Sequence, residues 1–279
     1  AAGFLTAILT GETTGLSEGA AWDLSEAGMY HILAVSGMHC GFLLLLLRNL
    51  IGRHRRRLLA GVTAVLLVGY ALLAGARPSM VRSCVMLVLL LAAPLFRRES
   101  DAPTSLLTAL FLILLANPFA AASIGLQLSF GAVAGIFWLT PKLYHALRGD
   151  KKRGRVFCVI ASGFSTTMGA LVFTMPLTAW YFGLLVLVSP LSNLLCLWAA
   201  GVVFISGLIA VFLGFLCPPL GNLLGLLPAL LGRYILTVAH WLAKLPYHAV
   251  YFNNPYLKYW LAFAYLLFAL AYFLGPRTG

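Results

Sequence analysis

Charge is scarce in this 279-residue chain: Asp, Glu, Lys and Arg together make up 9% of it, and only seven residues are acidic. Hydrophobic types reach 62% and the mean hydropathy is +0.97. A water-soluble core cannot hide that much apolar surface, which excludes a soluble enzyme or binding module and makes lipid the solvent. No low-complexity tract, no polar stretch of soluble-domain size and no defensible internal repeat interrupts the apolar runs. Cysteine is sparse too. Cys40, Cys84, Cys158, Cys196 and Cys217 are odd in number, widely spaced and without a CxxC pair, so free, buried thiols and no metal are expected. The chain starts AAGFL and ends GPRTG, with neither an initiator Met nor a signal sequence, and is expected to be part of something longer.

What is there is organised in apolar runs at about 29–50, 58–75, 80–96, 104–116, 119–139, 156–182, 184–216, 219–245 and 255–274. The expected fold is all-α, a polytopic integral membrane protein of about nine transmembrane or half-membrane helices with discontinuous segments. Residues 1–28 are expected as an extracytoplasmic lead-in and 29–279 as one transmembrane domain. Several segments make poor lipid-facing helices. Ser36-Gly37 interrupts the first, Ser123, Gln127 and Ser129 lie in the fifth, Pro176 in the sixth, and Pro190 and Asn193 in the seventh. Buried polar side chains and broken helices are tolerated at membrane depth where they line a wet cavity or pack within a bundle, so four such segments suggest an aqueous path.

The net charge of +12 has two readings, a nucleic-acid partner or the positive-inside rule, and location separates them. Fourteen of the 19 Lys and Arg lie at 48–57, 97–98, 142–155 and 277, and alternation of spans puts the first three of these stretches on one side, the cytoplasmic one. The other five, Arg77, Arg82, Arg233, Lys244 and Lys258, need another account. Arg77 and Arg82 fall at the outer face, where the rule supplies no reason for a cation.

The sharpest local feature is HILAVSGMHCG, His31 to Gly41. A Ser and two His within nine residues could form an intramembrane hydrolase, with Ser36 activated by His31 or His39. On one continuous helix, however, the two His lie about 80° apart and Ser36 points elsewhere. No Asp or Glu follows Glu26 outside the basic loops, so nothing at membrane depth would orient a His or relay protons. The competing readings are a Gly-softened helix start whose polar groups bond to backbone, and a lining for a pore.

HILAVSGMHCGFLLLLL resembles the signature of the ComEC competence family of DNA-uptake channel proteins, which runs close to HLLAISGLHIGLL. The likeness continues through RPSMVRSCVM, ANPFAAASIGLQLSFGAVAGI and TMPLTAWYFGLLVLVSPLSNLL, and so covers nearly all of the chain, more weakly past about residue 215. Met38 and Cys40 depart from the usual aliphatic residues without changing charge. Relatives carry an OB-like domain before this region and a metallo-β-lactamase-like nuclease domain after it, so the resemblance implies the transmembrane competence domain alone, not an enzyme, and no cofactor. It also implies single-stranded DNA as cargo, an outer DNA receptor and a cytoplasmic motor ATPase as partners, membrane lipid around it, a bacterial cytoplasmic (inner) membrane location, and an oligomer as one arrangement. Nucleic acid without sequence preference is held by cations along the backbone and aromatic faces against the bases. The residues expected to line the DNA path are therefore Arg77, Arg82, His31, Ser36, Gly37, His39, Gln127, Ser129, Pro176 and Asn193. Aromatics such as Trp180, Tyr181, Tyr256, Tyr259 and Trp260 cluster at segment ends, as stacking faces or as an interfacial belt.

If the three basic stretches share the cytoplasmic face, cysteines introduced at Arg55 and Lys151 will react with a membrane-impermeant thiol reagent only after the inner face is opened. Reaction at either position in intact cells would reverse the orientation.

Overall fold

The computed structural model describes residues 2–34, 36–52, 55–75, 78–93, 101–149 and 154–252, with scattered positions between 256 and 266. Among them are ten helices: α1 (Ala2–Thr10), α2 (Glu18–Glu26), α3 (Gly37–Ile51), α4 (Arg56–Leu73), α5 (Pro78–Ala92), α6 (Ala102–Ala116), α7 (Ile124–Arg148), α8 (Arg155–Phe182), α9 (Ser189–Leu216) and α10 (Pro218–Ala243). Two short strands, β1 (Leu184–Val186) and β2 (Ala249–Tyr251), pair antiparallel with Leu185 opposite Val250.

The helix boundaries follow the local chemistry. Asp101 accepts a hydrogen bond from the Thr104 amide at 2.9 Å and caps α6, with Pro103 in its first turn. The Thr104 amide and hydroxyl together hold the Asp101 carboxyl below the usual carboxylate range. Prolines also open α9 and α10, and Gly183, in the left-handed region at φ +64°, ends α8. Four helices, α7 to α10, are long and apolar enough to cross a membrane. Helices α3, α5 and α6 have 15 residues each, roughly 22 Å of rise against the ~30 Å of a hydrocarbon layer. Large apolar side chains such as Leu73, Phe111, Phe212 and Phe215 face outward, as expected when the surroundings are lipid.

The chain divides into two compact units, residues 1–126 with 188–248 and residues 127–187 with 249–279. In the first, α9 and α10 form a tight antiparallel pair. A Cβ on Gly221 would sit 2.2 Å from the Gly214 Cα, so only glycine allows the approach beside the turn. Against this pair pack α1 and α2, through buried Phe4, Ala7, Ile8 and Leu24 beside Ala199, Val203, Ile235 and Ala239. Two carboxylate–histidine contacts join α2 to the α10 region: Asp23 to His240 at 2.8 Å and Glu26 to His248 at 2.7 Å. A second cluster in the same unit joins α3, α4 and α5 through Leu43, Leu47, Leu59, Leu67 and Met80. The Tyr70 hydroxyl of α4 donates to the Leu9 carbonyl at 2.9 Å. In the second unit α7 and α8 meet at glycines: a Cβ on Gly135 would lie 2.1 Å from the Gly169 carbonyl oxygen.

Several elements differ from the sequence expectation. The run expected at 29–50 is a 3₁₀ turn at Tyr30–Ile32 followed by α3 from Gly37, and the run at 119–139 is a 3₁₀ turn at Pro118–Ala122 followed by α7. The run at 184–216 opens as strand β1, and α9 begins beside Pro190. Pro176 does not break α8, which runs through it unbroken. One missing amide is a smaller loss than a turn of exposed backbone in lipid. The expected lead-in contains α1 and α2, both packed into the first unit. Most of the run at 255–274 lies outside the described residues.

The α7–α8 contact has no room for a side chain. Gly135→Val should cost about 1–3 kcal/mol of stability through overpacking. It should lower the thermal midpoint of the detergent-solubilised protein, and an unchanged midpoint would show that the two helices do not meet at Gly135.

Candidate functional site

The polar residues of the His31–Gly41 stretch are placed by the start of α3. His31 Nδ1 donates to the Gly28 carbonyl at 3.0 Å and holds the 3₁₀ turn to the end of α2. Ser36 is extended, at φ −140° and ψ −177°, and serves as the N-cap of α3. The Ser36 amide donates to His39 Nδ1 at 3.2 Å, and the His39 amide donates back to the Ser36 carbonyl at 3.0 Å. Because Nδ1 accepts, the neutral ring carries its proton on Nε2. Among the described residues no acceptor meets that buried Nε2 with regular hydrogen-bond geometry, and the ring stands edge-on to Phe204 with centroids 4.9 Å apart.

This geometry matters for the hydrolase reading. A serine nucleophile needs its Oγ within hydrogen-bond reach of a base. Among the described residues, neither His31 nor His39 bonds to Ser36 Oγ: one Nδ1 is engaged with Gly28 and the other with the Ser36 backbone. The arrangement terminates a helix; it does not activate a hydroxyl.

Gly37 is the first residue of α3 and lies directly against α5. A Cβ there would be 2.8 Å from Ser83 Oγ and 3.5 Å from Arg82 Nη2. Arg82 is 3% exposed, and its Nη2 donates to Ser83 Oγ at 2.9 Å. Arg82 is therefore no part of a solvent-exposed turn. Its guanidinium lies beside the amino end of a helix, where unpaired amides already carry partial positive charge, so the local field favours negative charge. Burying a cation in such a field is costly unless acceptors or an anion share the site.

The structure thus brings Gly37 and Arg82 together at the α3–α5 contact, with Ser36 capping the same helix start, while the His39 ring stands against Phe204 of α9. His31 stands one turn away on the chain. Asn193 belongs to the same unit, in the second turn of α9, and its buried Oδ1 has no hydrogen-bond partner among the described residues. Beside it the Ser192 hydroxyl donates to the Ala27 carbonyl at 2.7 Å. Gln127, Ser129 and Pro176 belong to the second unit, where Gln127 Oε1 accepts from the Tyr181 hydroxyl at 2.8 Å and Trp180 meets Tyr259 edge-on at 5.9 Å. Arg77 lies outside the described residues.

Sequence reasoning missed two features. Glu26, placed in the lead-in, is 3% exposed and paired with His248, and no local pattern links positions 222 residues apart. The Gly131-xxx-Gly135 spacing is a recognisable signal for close helix packing and marks the α7 face that meets α8. No cluster of three or more His, Cys, Asp or Glu suited to a metal occurs among the described residues.

A family model described as "Competence protein" matches residues 8–277. Competence protein ComA of Neisseria gonorrhoeae is 31% identical over 204 residues, covering 68% of this chain and 27% of that protein. ComE operon protein 3 of Bacillus subtilis (strain 168) is 25% identical over 198 residues, covering 69% of this chain and 24% of that protein. The chain thus spans about a quarter of the length of the curated relatives it matches. No solved structure matches it.

A fluorophosphonate probe, which needs an activated serine, is expected to leave Ser36 unmodified. Labelling that disappears in Ser36→Ala would restore the hydrolase reading.

Proposed function

Because this chain belongs to the competence protein family, we propose that it forms the membrane-spanning part of a channel that passes single-stranded DNA through the bacterial cytoplasmic membrane during natural transformation. The observation that supports the reading is Arg82, buried against the first turn of α3 at Gly37. A permanently charged planar fork of donors suits a phosphodiester better than any small neutral solute. With the amides of the α3 start beside it, the site offers a stopping point for one phosphate. A few such points separated by Ser, Thr and Gln would let a polyanion move on without being held, which a conduit needs.

In this reading α7 to α10 and their neighbours span the membrane several times, the basic stretches face the cytoplasm, and Arg77 stands near the outer mouth with Arg82. His31, Ser36, Gly37 and His39 shape the helix start that the strand passes, and Asn193, Gln127, Ser129 and Pro176 contribute further lining in their own units. The aromatics Trp180, Tyr181 and Tyr259 supply stacking faces, each worth about 1–3 kcal/mol per base where a base reaches them. An outer DNA receptor upstream, a motor ATPase on the cytoplasmic side and a second copy of the chain are the partners this role calls for. The chain itself performs no bond-breaking step in this account.

Arg82→Gln in the full-length protein is expected to lower transformation by about tenfold or more, the loss that follows from removing a charge-assisted hydrogen bond of ~1.5–3 kcal/mol. Arg82→Lys should retain part of the activity, and both variants should remain abundant in the membrane. Each lost phosphate contact should also flatten the salt dependence of single-strand binding by a slope of about 0.7. Wild-type transformation and an unchanged slope in Arg82→Gln would remove the residue from the path.

A further inference from the structure

We propose that Cys40 and Cys84 are a redox-active pair whose disulfide ties α3 to α5 across the Gly37–Ser83 contact. The two Sγ atoms are 4.0 Å apart, on helices whose cysteines are 44 residues apart in sequence. Both thiols are free and buried, Cys40 at 1% and Cys84 at 8% exposure. Cys84 Sγ also faces the Leu67 carbonyl of α4 at 3.8 Å, so the pair sits where three helices meet. The other cysteines are elsewhere: Cys158 on α8, Cys196 on α9 and Cys217 between α9 and α10.

The two helices approach closely beside the pair. Disulfides need Cβ atoms roughly 3.5–4.5 Å apart. One turn before Cys40, a Cβ on Gly37 would lie 3.5 Å from the Cβ of Ser83, the residue just before Cys84. Helices held at that separation can bring the two sulfurs from van der Waals contact to bonding distance by side-chain rotation, with little movement of the main chain.

The oxidant that suits a buried, lipid-surrounded pair is small and neutral, and hydrogen peroxide is of that class. The Cys84 sulfur, the more exposed of the two, attacks one peroxide oxygen; the O–O bond breaks, one water leaves and a sulfenic acid forms. The Cys40 sulfur then attacks the Cys84 sulfur, the S–O bond breaks and a second water leaves with the thiol proton. Two thiols lose two electrons and two protons, and one peroxide becomes two waters. The product fixes the amino end of α3 on α5 beside Arg82, so the helix start at Ser36–Gly37 can no longer shift against the guanidinium. That the linked state closes a DNA path rests on the function proposed above; the linkage itself does not.

In membranes holding the full-length protein, peroxide followed by alkylation and peptide mass spectrometry should reveal a Cys40–Cys84 linked peptide pair. It should be two hydrogens lighter than the reduced peptides, revert with dithiothreitol, and be missing from Cys84→Ser. Recovery of both cysteines alkylated after peroxide, or of Cys84 carried on to sulfinic acid with Cys40 still free, overturns the pair. Single-strand uptake should fall in proportion to the linked fraction, recover with dithiothreitol, and resist peroxide in Cys40→Ala. Uptake unchanged by a confirmed link overturns the locking role. A confirmed link in a protein that moves no DNA overturns the channel reading and leaves the pair standing.

Discussion

In lipid an unpaired amide or carbonyl costs several kcal/mol, and every departure from regular helix in this chain has to answer that constraint. The start of α3 shows how. The Ser36 amide, which a helix interior would satisfy with a carbonyl, is satisfied by His39 Nδ1, three residues on. The imidazole therefore serves as a built-in acceptor that lets a helix begin with its amino end against a neighbouring helix. Helix α8 passes through Pro176 intact, at the loss of a single intrahelical amide.

Once a helix can begin at depth, its amino end becomes an electrostatic feature. Gly37 permits α5 to come so close that the Ser83 hydroxyl occupies the space a side chain would take, with Arg82 in contact beside it. Two positive features, a guanidinium and a helix amino end, then share one neighbourhood, and the arrangement is stable only where negative charge or good acceptors balance it. Two carboxylates of the same unit meet histidines, Asp23 with His240 and Glu26 with His248. The unit thus joins α2 to the α10 region through acid–histidine contacts and seats a buried guanidinium beside a helix start.

Much of the helical framework was legible in the sequence because apolar run length is a direct consequence of lipid solvation. The runs at 58–75, 104–116 and 219–245 correspond to Arg56–Leu73, Ala102–Ala116 and Pro218–Ala243. The interruption at Ser36-Gly37 was legible as well, as a weak point in a helix, although its resolution into an N-cap with a histidine acceptor depends on three-dimensional geometry. What escaped was long-range. Helix α1 is nine residues long, too short to read as a span, and its burial depends on α9 and α10 near the other end of the chain. The burial of Arg82 was equally hidden, since a residue three positions after a helix-starting turn looks exposed until the partner helix is in place. The Gly131-xxx-Gly135 spacing was visible but carries meaning only with a facing helix that also bears glycine.

The two acid–histidine pairs between α2 and the α10 region have a mechanical consequence. Asp23 and Glu26 lie one turn apart on α2, and they reach His240 within α10 and His248 just beyond it. Attachment at one point would leave α2 free to swivel; attachment at two defines an axis and removes that freedom. The outer short helix and the long hairpin behind it therefore behave as a single strut. The compliant joint of the unit is then left to α3, whose amino end is seated against α5 by contact with a residue that has no side chain at all.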